Sequence, residues 1–296
     1  MKTDGLFSTH IVTIKARLNE PFYIVPIGDI HRESPMHAHG EFQADIKNLR
    51  TKKNHYFLGM GDFCDGCSTS ERAVLLSGGI HDTTKETLRG VYRGIVKTLA
   101  NELGFMRGKT IGMLGGNHFY ELENGENTDH VLSHALGAKY LGCTGFIRLV
   151  LDVEGRHRGR QKGTVNSSVV FDIFANHGKG GGKTVGATFN SIEDMMKVAD
   201  ADLYLMGHTH GKGTTPSFPR MKLVPDRKGG VTVRARTPHL GRTGSYLKGY
   251  ENGKTSYTCD ALYPALALGH ISFEITPVRI QKDGVDRIEL QVKGTA

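Results

Sequence analysis

Short apolar runs, each closed by glycine or a polar residue, recur through the first two-thirds of the chain. They lie at 22–27 (FYIVPI), 55–60 (HYFLGM), 109–114 (KTIGML), 169–175 (VVFDIFA) and 202–206 (DLYLM). Runs of this length bounded by turn formers predict buried strands. Between them the period becomes helical. Segment 41–53 sets Phe42, Ile46 and Leu49 at i, i+4 and i+7, and 84–103 carries Leu88, Val91, Ile95 and Leu99. Segment 190–200 opens on Asn190-Ser191 and aligns Ile192, Met195, Met196 and Ala199, the pattern of a capped amphipathic helix. Beyond 216 the pattern alternates. Segments 221–236, 270–276 and 285–292 read as antiparallel strands, with Asp283-Gly284 as a turn. Strand–helix alternation predicts an α/β layered domain. We expect a single domain over 1–296, with a motif-bearing core at 22–210 and a basic, β-rich part at 211–296.

No stretch approaches the ~18 apolar residues of a membrane span, and the first residues carry no apolar leader. A cytoplasmic protein with no membrane partner is the expectation. Cys64 and Cys67 form a CxxC, while Cys143 and Cys259 stand alone. No second pair completes a zinc site, so free thiols are expected.

The chemistry sits directly after the apolar runs. Gly28-Asp29-Ile30-His31 follows the first, Gly61-Asp62-Phe63-Cys64-Asp65 the second and Gly115-Gly116-Asn117-His118 the third. Asn176-His177-Gly178 and Gly207-His208-Thr209-His210 follow the last two. In open α/β sheets, functional groups gather at the carboxyl ends of strands. In D-x-H and H-x-H, extended backbone would put both side chains on one side. Asp29, His31, Asp62, Asn117, His177, His208 and His210 offer carboxylate, imidazole and amide without thiolate. That set suits Mn²⁺, Fe, Zn²⁺, Co²⁺ or Ni²⁺. Seven ligands exceed the need of one catalytic ion and suffice for two bridged by a carboxylate.

These blocks, in this order over about 28–210, resemble the calcineurin-like metallophosphoesterases. That family's pattern is D-x-H, G-D-x-x-D, G-N-H-[D/E], a lone His and G-H-x-H. The resemblance implies a four-layer sandwich of two mixed β-sheets flanked by helices, with a dinuclear metal site at strand C-terminal ends. It implies that Asp29, His31 and His210 hold one metal and Asn117, His177 and His208 the other, with Asp62 bridging. His118 would stand beside the phosphate as general acid, oriented by Asp65. The implied function is metal-dependent phosphoester hydrolysis by a metal-bridging hydroxide, Mn²⁺ being the first choice of ion. A diester in nucleic acid or a nucleotide is favoured. The alternatives are a small-molecule phosphomonoesterase and a catalytically weak metal-binding scaffold.

Two departures stand out. Phe119 replaces the acid usual after G-N-H, which predicts altered local support, with Glu121 as a substitute. Gly66 follows Asp65 where the protein Ser/Thr phosphatases have Arg, which argues against a phosphoprotein substrate. GDFCD looks closer to the phosphodiesterase and DNA-repair nuclease branches.

The net charge of +8 adds a partner class. Segment 215–258 carries nine Lys and Arg against Asp226 and Glu251, and 154–163 carries four against Glu154. Cations interleaved with tyrosines suit phosphate neutralisation and base stacking. Arg242 and Tyr246 are therefore candidate substrate contacts. So are Lys179 and Lys183, in a glycine loop after His177 that lacks the first Gly of a P-loop. The ten histidines outside the blocks are expected to be structural or solvated.

Overall fold

Two β-sheets pack face to face, and helices cover both outer surfaces. The computed structural model describes residues 5–77, 81–122, 125–154, 167–180, 184–225, 230–282 and 285–296. In chain order, the first half contains β1 (Ser8–Arg17), β2 (Phe22–Ile27), α1 (His39–Arg50), β3 (His55–Gly59), α2 (Thr69–Ser77), α3 (Asp82–Glu102), β4 (Thr110–Met113), α4 (Thr128–Ala135) and β5 (Thr144–Glu154). There follow β6 (Ser167–Asn176), α5 (Val185–Met195), β7 (Leu203–Met206), β8 (Lys212–Pro216), β9 (Arg220–Pro225), β10 (Val231–Arg236) and β11 (His239–Ser245). The last elements are α6 (Tyr257–Asp260), β12 (Gly269–His270), β13 (Ser272–Lys282) and β14 (Val285–Thr295).

One sheet runs β1-β5-β6-β7-β11-β12, with β8 paired to β11; the other runs β14-β13-β2-β3-β4. Both are mixed. Strands β2, β3 and β4 are mutually parallel, as are β6, β7 and β11. Between the sheets, Ile14, Leu149, Phe171, Ile173 and Leu205 meet Ile24, Leu58, Ile111 and Phe273. Outside one sheet, Phe42 and Ile46 of α1, Val96 and Leu99 of α3 and Leu132 of α4 pack on Val25, Ile27 and Phe57. Outside the other, Ile192 and Met195 of α5 pack on Phe174, Tyr204 and Leu240. The result is the four-layer α/β sandwich, and its layers bring the ends of β2, β3, β4, β6 and β7 to one rim.

The structure changes several sequence-based boundaries. Helix α5 starts after Thr184, whose side chain accepts the Ala187 N–H at 3.3 Å, so Asn190 lies inside the helix rather than capping it. Segment 221–236 is two strands, β9 and β10. Strands β1 and β5 were not anticipated. Their signal is alternation: every second residue of β5 from Gly145 to Val153 is buried.

Candidate metal centre

The loop after β2 is zipped to the loop after β3. Asp29 N–H donates to the Gly61 carbonyl at 2.9 Å, Ile30 N–H to Asp62 at 2.8 Å and Arg32 N–H to Phe63 at 3.1 Å. Gly116 approaches so closely that a Cβ there would collide with the Asp62 carboxylate and backbone nitrogen. The expectation of extended D-x-H and H-x-H segments is corrected. Asp29, His31, Asp62, His208 and His210 all have φ between 46° and 62°. They make up five of the eight non-glycine residues with positive φ among the described residues. Each left-handed residue costs about 1–2 kcal/mol. Such strain persists where surrounding bonds over-determine the backbone, and it clusters at functional sites. Here left-handed turns, not strand alternation, aim the two side chains of each motif inward.

Side chains from both sheets converge. His177 Nε2 lies 3.2 Å from Asp62 Oδ2 and 3.0 Å from Asn117 Oδ1. His208 Nδ1 is 2.8 Å from the same Asn117 oxygen. His210 Nε2 lies 3.5 Å from Asp29 Oδ1, and His31 Nε2 lies 3.8 Å from Asp62 Oδ2. Three groups each place their donor atoms within 4.8 Å of one another: Asp29 with His31 and His210, Asp62 with His177 and His208, and His31 with Asp65 and His118. All nine residues singled out by the motifs thus meet at one rim.

Hydrogen bonds fix which imidazole nitrogen faces inward. His177 Nδ1 is 2.7 Å from the Met60 carbonyl, and His31 Nδ1 is 2.8 Å from Asp65 Oδ1. Both rings therefore present Nε2 to the centre. His31 Nε2 is buried with no hydrogen-bond partner. An unsatisfied buried polar atom costs about 1–3 kcal/mol, and a bound cation would satisfy it. This orphaned nitrogen among carboxylates, imidazoles and an amide fits a divalent transition metal.

The electrostatics agree. Burial opposes ionisation of Asp62, but His177, with help from His31 and His118, holds its pKa below the ordinary value. Burial opposes charge on His177, and Asp62 reverses this, raising the His177 pKa. Burial and the His177 charge lower His208. Burial also works against charge on His118, but the adjacent Asp65 and Asp62 carboxylates raise its pKa overall. Its Nδ1 stands 3.4 Å from Asp65 Oδ1 and its backbone N–H donates to Asp62 Oδ1 at 2.8 Å. The raised His177 and His118 imidazoles thus sit against the Asp62 and Asp65 carboxylates, which favour their protonated forms.

The surrounding residues hold this arrangement. The Arg72 guanidinium lies 3.8 Å above the Phe119 ring and donates to the Asn117 carbonyl at 2.9 Å. The Asn117 loop is thus braced by Arg72 on Phe119, while Glu121 is exposed. Arg242 is buried; it donates to Thr188 Oγ1 and Thr209 Oγ1, each at 2.6 Å, under the His208–His210 turn. Tyr246 is buried and donates from its hydroxyl to Asp45 at 2.9 Å, while its N–H donates to the Asp29 carbonyl at 3.0 Å. Neither group presents its polar end to the rim. Lys179 is exposed two residues after His177; Lys183 lies outside the described residues, as does 155–163. A cavity of about 470 Å³ opens beside Asp65, lined also by Gly66, Cys67, Ser70, Glu71 and Tyr92. The four cysteines are free thiols.

No family model matches the chain, and no curated protein does. Similar solved structures exist. Wild-type Vps29 of Entamoeba histolytica complexed with Zn²⁺ is 12% identical with a TM-score of 0.38, over 92% of this chain and 99% of that one. Vps29 of Cryptosporidium parvum is 13% identical with a TM-score of 0.31, over 93% and 99%. Vps29 of Chaetomium thermophilum is 11% identical with a TM-score of 0.30, over 92% and 96%. At such identities and scores, the meaning of the site rests on its own geometry.

Sequence reasoning missed Asp129. It is fully buried in the first turn of α4, and its Oδ2 accepts the Gly116 N–H at 2.8 Å. Burial, reinforced by the charge of Asp62, pushes its pKa up to about 7. Asp129 sits in no motif; only its place on the buried face of a short helix marks it.

Proposed function

We propose that this chain is a metal-dependent phosphoester hydrolase, and more narrowly a phosphodiesterase acting on nucleic acid or a nucleotide. The observation that carries the reading is the place of Asp62 Oδ2, 3.2 Å from His177 Nε2 and 3.8 Å from His31 Nε2. One carboxylate oxygen thus neighbours a member of each of two donor sets. Asp29, His31 and His210 would hold one divalent ion, and Asn117, His177 and His208 a second, with Asp62 shared. Mn²⁺ is the first choice; Fe, Zn²⁺, Co²⁺ and Ni²⁺ share the donor chemistry. When bound, such ions acidify water and neutralise phosphoryl charge.

The chain's own groups supply the rest. His118 turns Nδ1 toward Asp65, which leaves Nε2 to hand a proton to the leaving oxygen. Asp65 sets the angle of that ring and of His31 together. The cavity beside Asp65 gives room for an organic substituent on phosphorus. The exposed Lys179 can neutralise a substrate phosphate.

The test is an Mn²⁺-dependent assay on aryl phosphodiester, aryl phosphomonoester, single-stranded DNA, duplex DNA and cyclic nucleotides. Diester turnover that is lost on chelation supports the reading. Strong monoester preference moves the assignment to a phosphomonoesterase, and no turnover with any of the five metals leaves a metal-binding scaffold.

A further inference from the structure

Between β8 and β11 the chain forms a separate two-stranded ribbon, β9 with β10. Its register sets Met221 opposite Ala235, Leu223 opposite Val233 and Pro225 opposite Val231. Side chains alternate across a strand, so these six apolar residues share one face. The pairs Arg220 with Arg236, Lys222 with Arg234 and Val224 with Thr232 share the other. Met221, Leu223, Val231 and Val233 are each at least 60% exposed, and Phe218, just before the ribbon, is 82% exposed. An exposed apolar patch of this kind marks an interaction surface.

The root of the ribbon is fixed. Arg220 and Arg236 both reach Asp200, and Arg236 Nη1 lies 3.3 Å from Asp202 Oδ1. Asp200 and Asp202 precede β7, whereas His208 and His210 follow it. The ribbon therefore stands at the end of the sheet opposite the metal-ligand loops.

The two faces discriminate among partners. A nucleic acid would engage Lys222 and Arg234 and leave the apolar face wet. A second copy of the chain would cover the apolar face and give Lys222 and Arg234, on the opposite face, no part in the contact. An anionic lipid surface uses both. With the apolar face at the hydrocarbon boundary, the ribbon backbone, Lys222 and Arg234 lie in the headgroup layer, which is roughly 5–8 Å deep on each side of a bilayer. Cations there are attracted to anionic lipids. We propose that the β9–β10 ribbon is a peripheral docking element for an anionic lipid surface, the strand counterpart of an in-plane amphipathic helix. In this orientation the metal-ligand loops face solution, so the proposal does not depend on the hydrolase reading.

The test is flotation of the full chain with phosphatidylcholine vesicles, with and without phosphatidylglycerol. Recovery is expected with the anionic vesicles only. Leu223→Asp with Val233→Asp should abolish it, and Lys222→Glu with Arg234→Glu should weaken it by about tenfold or more. The milder Leu223→Gln with Val233→Thr, checked by circular dichroism, guards against a folding defect and should also weaken recovery. Absence of recovery with anionic vesicles overturns the proposal. So does DNA retention that depends on Lys222 and Arg234 alone, or a solution dimer dissociated by Leu223→Asp without vesicle recovery.

Discussion

Asp65 Oδ1 lies 2.8 Å from His31 Nδ1, which fixes the tautomer that turns His31 Nε2 toward Asp62. The same oxygen stands 3.4 Å from His118 Nδ1. One carboxylate therefore orients a candidate ligand and the candidate acid, and its loss should show in both. Asp65→Asn is expected to weaken metal binding by about 10–100-fold, as loss of a partner behind a ligating histidine does. His118→Ala should keep its metal and lose about 10²–10⁴ in turnover, more on alkyl than on aryl leaving groups. Metal analysis beside turnover checks both. An Asp65→Asn protein with full metal affinity would break the link to His31.

Metal binding should release protons. Asp62 holds the His177 pKa above its ordinary value, yet Nε2 must lose its proton to act as a ligand. Nδ1 is already committed to Met60. Raising pH toward that elevated pKa should strengthen binding by up to about tenfold per pH unit for each proton released. Calorimetric titration with Mn²⁺ in buffers of different ionisation enthalpy measures the count. A pH-independent affinity between 6 and 8 would contradict the raised His177 pKa beside Asp62.

How much of this was legible in the sequence follows from the kind of signal each feature leaves. The ligands were legible because each ends a short buried run, and β2, β3, β4, β6 and β7 all point to one rim. The way they converge was not. Nothing in Asp29-Ile30-His31 announces left-handed φ at both ends, since that depends on the zipper to Gly61 and Asp62. Strand β1 was missed because it alternates rather than running apolar. The charge of 215–258 was legible as a sum but not as a place. Folding sends Lys222 and Arg234 to the far end of the sheet and buries Arg242 beneath the His208 turn.

That burial gives Arg242 an effect distinct from substrate contact. Its guanidinium ties Thr188 of α5 to Thr209, between the two histidines of the turn. Lysine cannot span two hydroxyls with one planar fork. Arg242→Lys is expected to lower metal affinity while KM for a diester, measured at saturating metal, stays within about twofold, because a residue that positions a ligand acts on metal geometry rather than on substrate binding. A raised KM with unchanged metal affinity would instead place Arg242 on the substrate.

Asp129 makes the strongest statement about pH and stability. Burial favours its neutral form in the fold, with a pKa of about 7. In the unfolded chain the value returns to about 3.9. The folded state thus binds the extra proton between these limits. The stabilisation is complete below about pH 4 and is lost as pH rises through 7, a swing of about 4 kcal/mol. Asn at this position can still accept the Gly116 N–H but cannot ionise. Its amide nitrogen costs something for want of a partner, because Oδ1 of Asp129 has none. The expected outcome concerns slope rather than height. In metal-free protein, the stability of Asp129→Asn relative to wild type should improve from pH 4 to about 7 and level off above it, as followed by urea unfolding. Parallel profiles over that range would show that Asp129 is ionised throughout, and that the Gly116 N–H alone suffices to hold its charge beside Asp62.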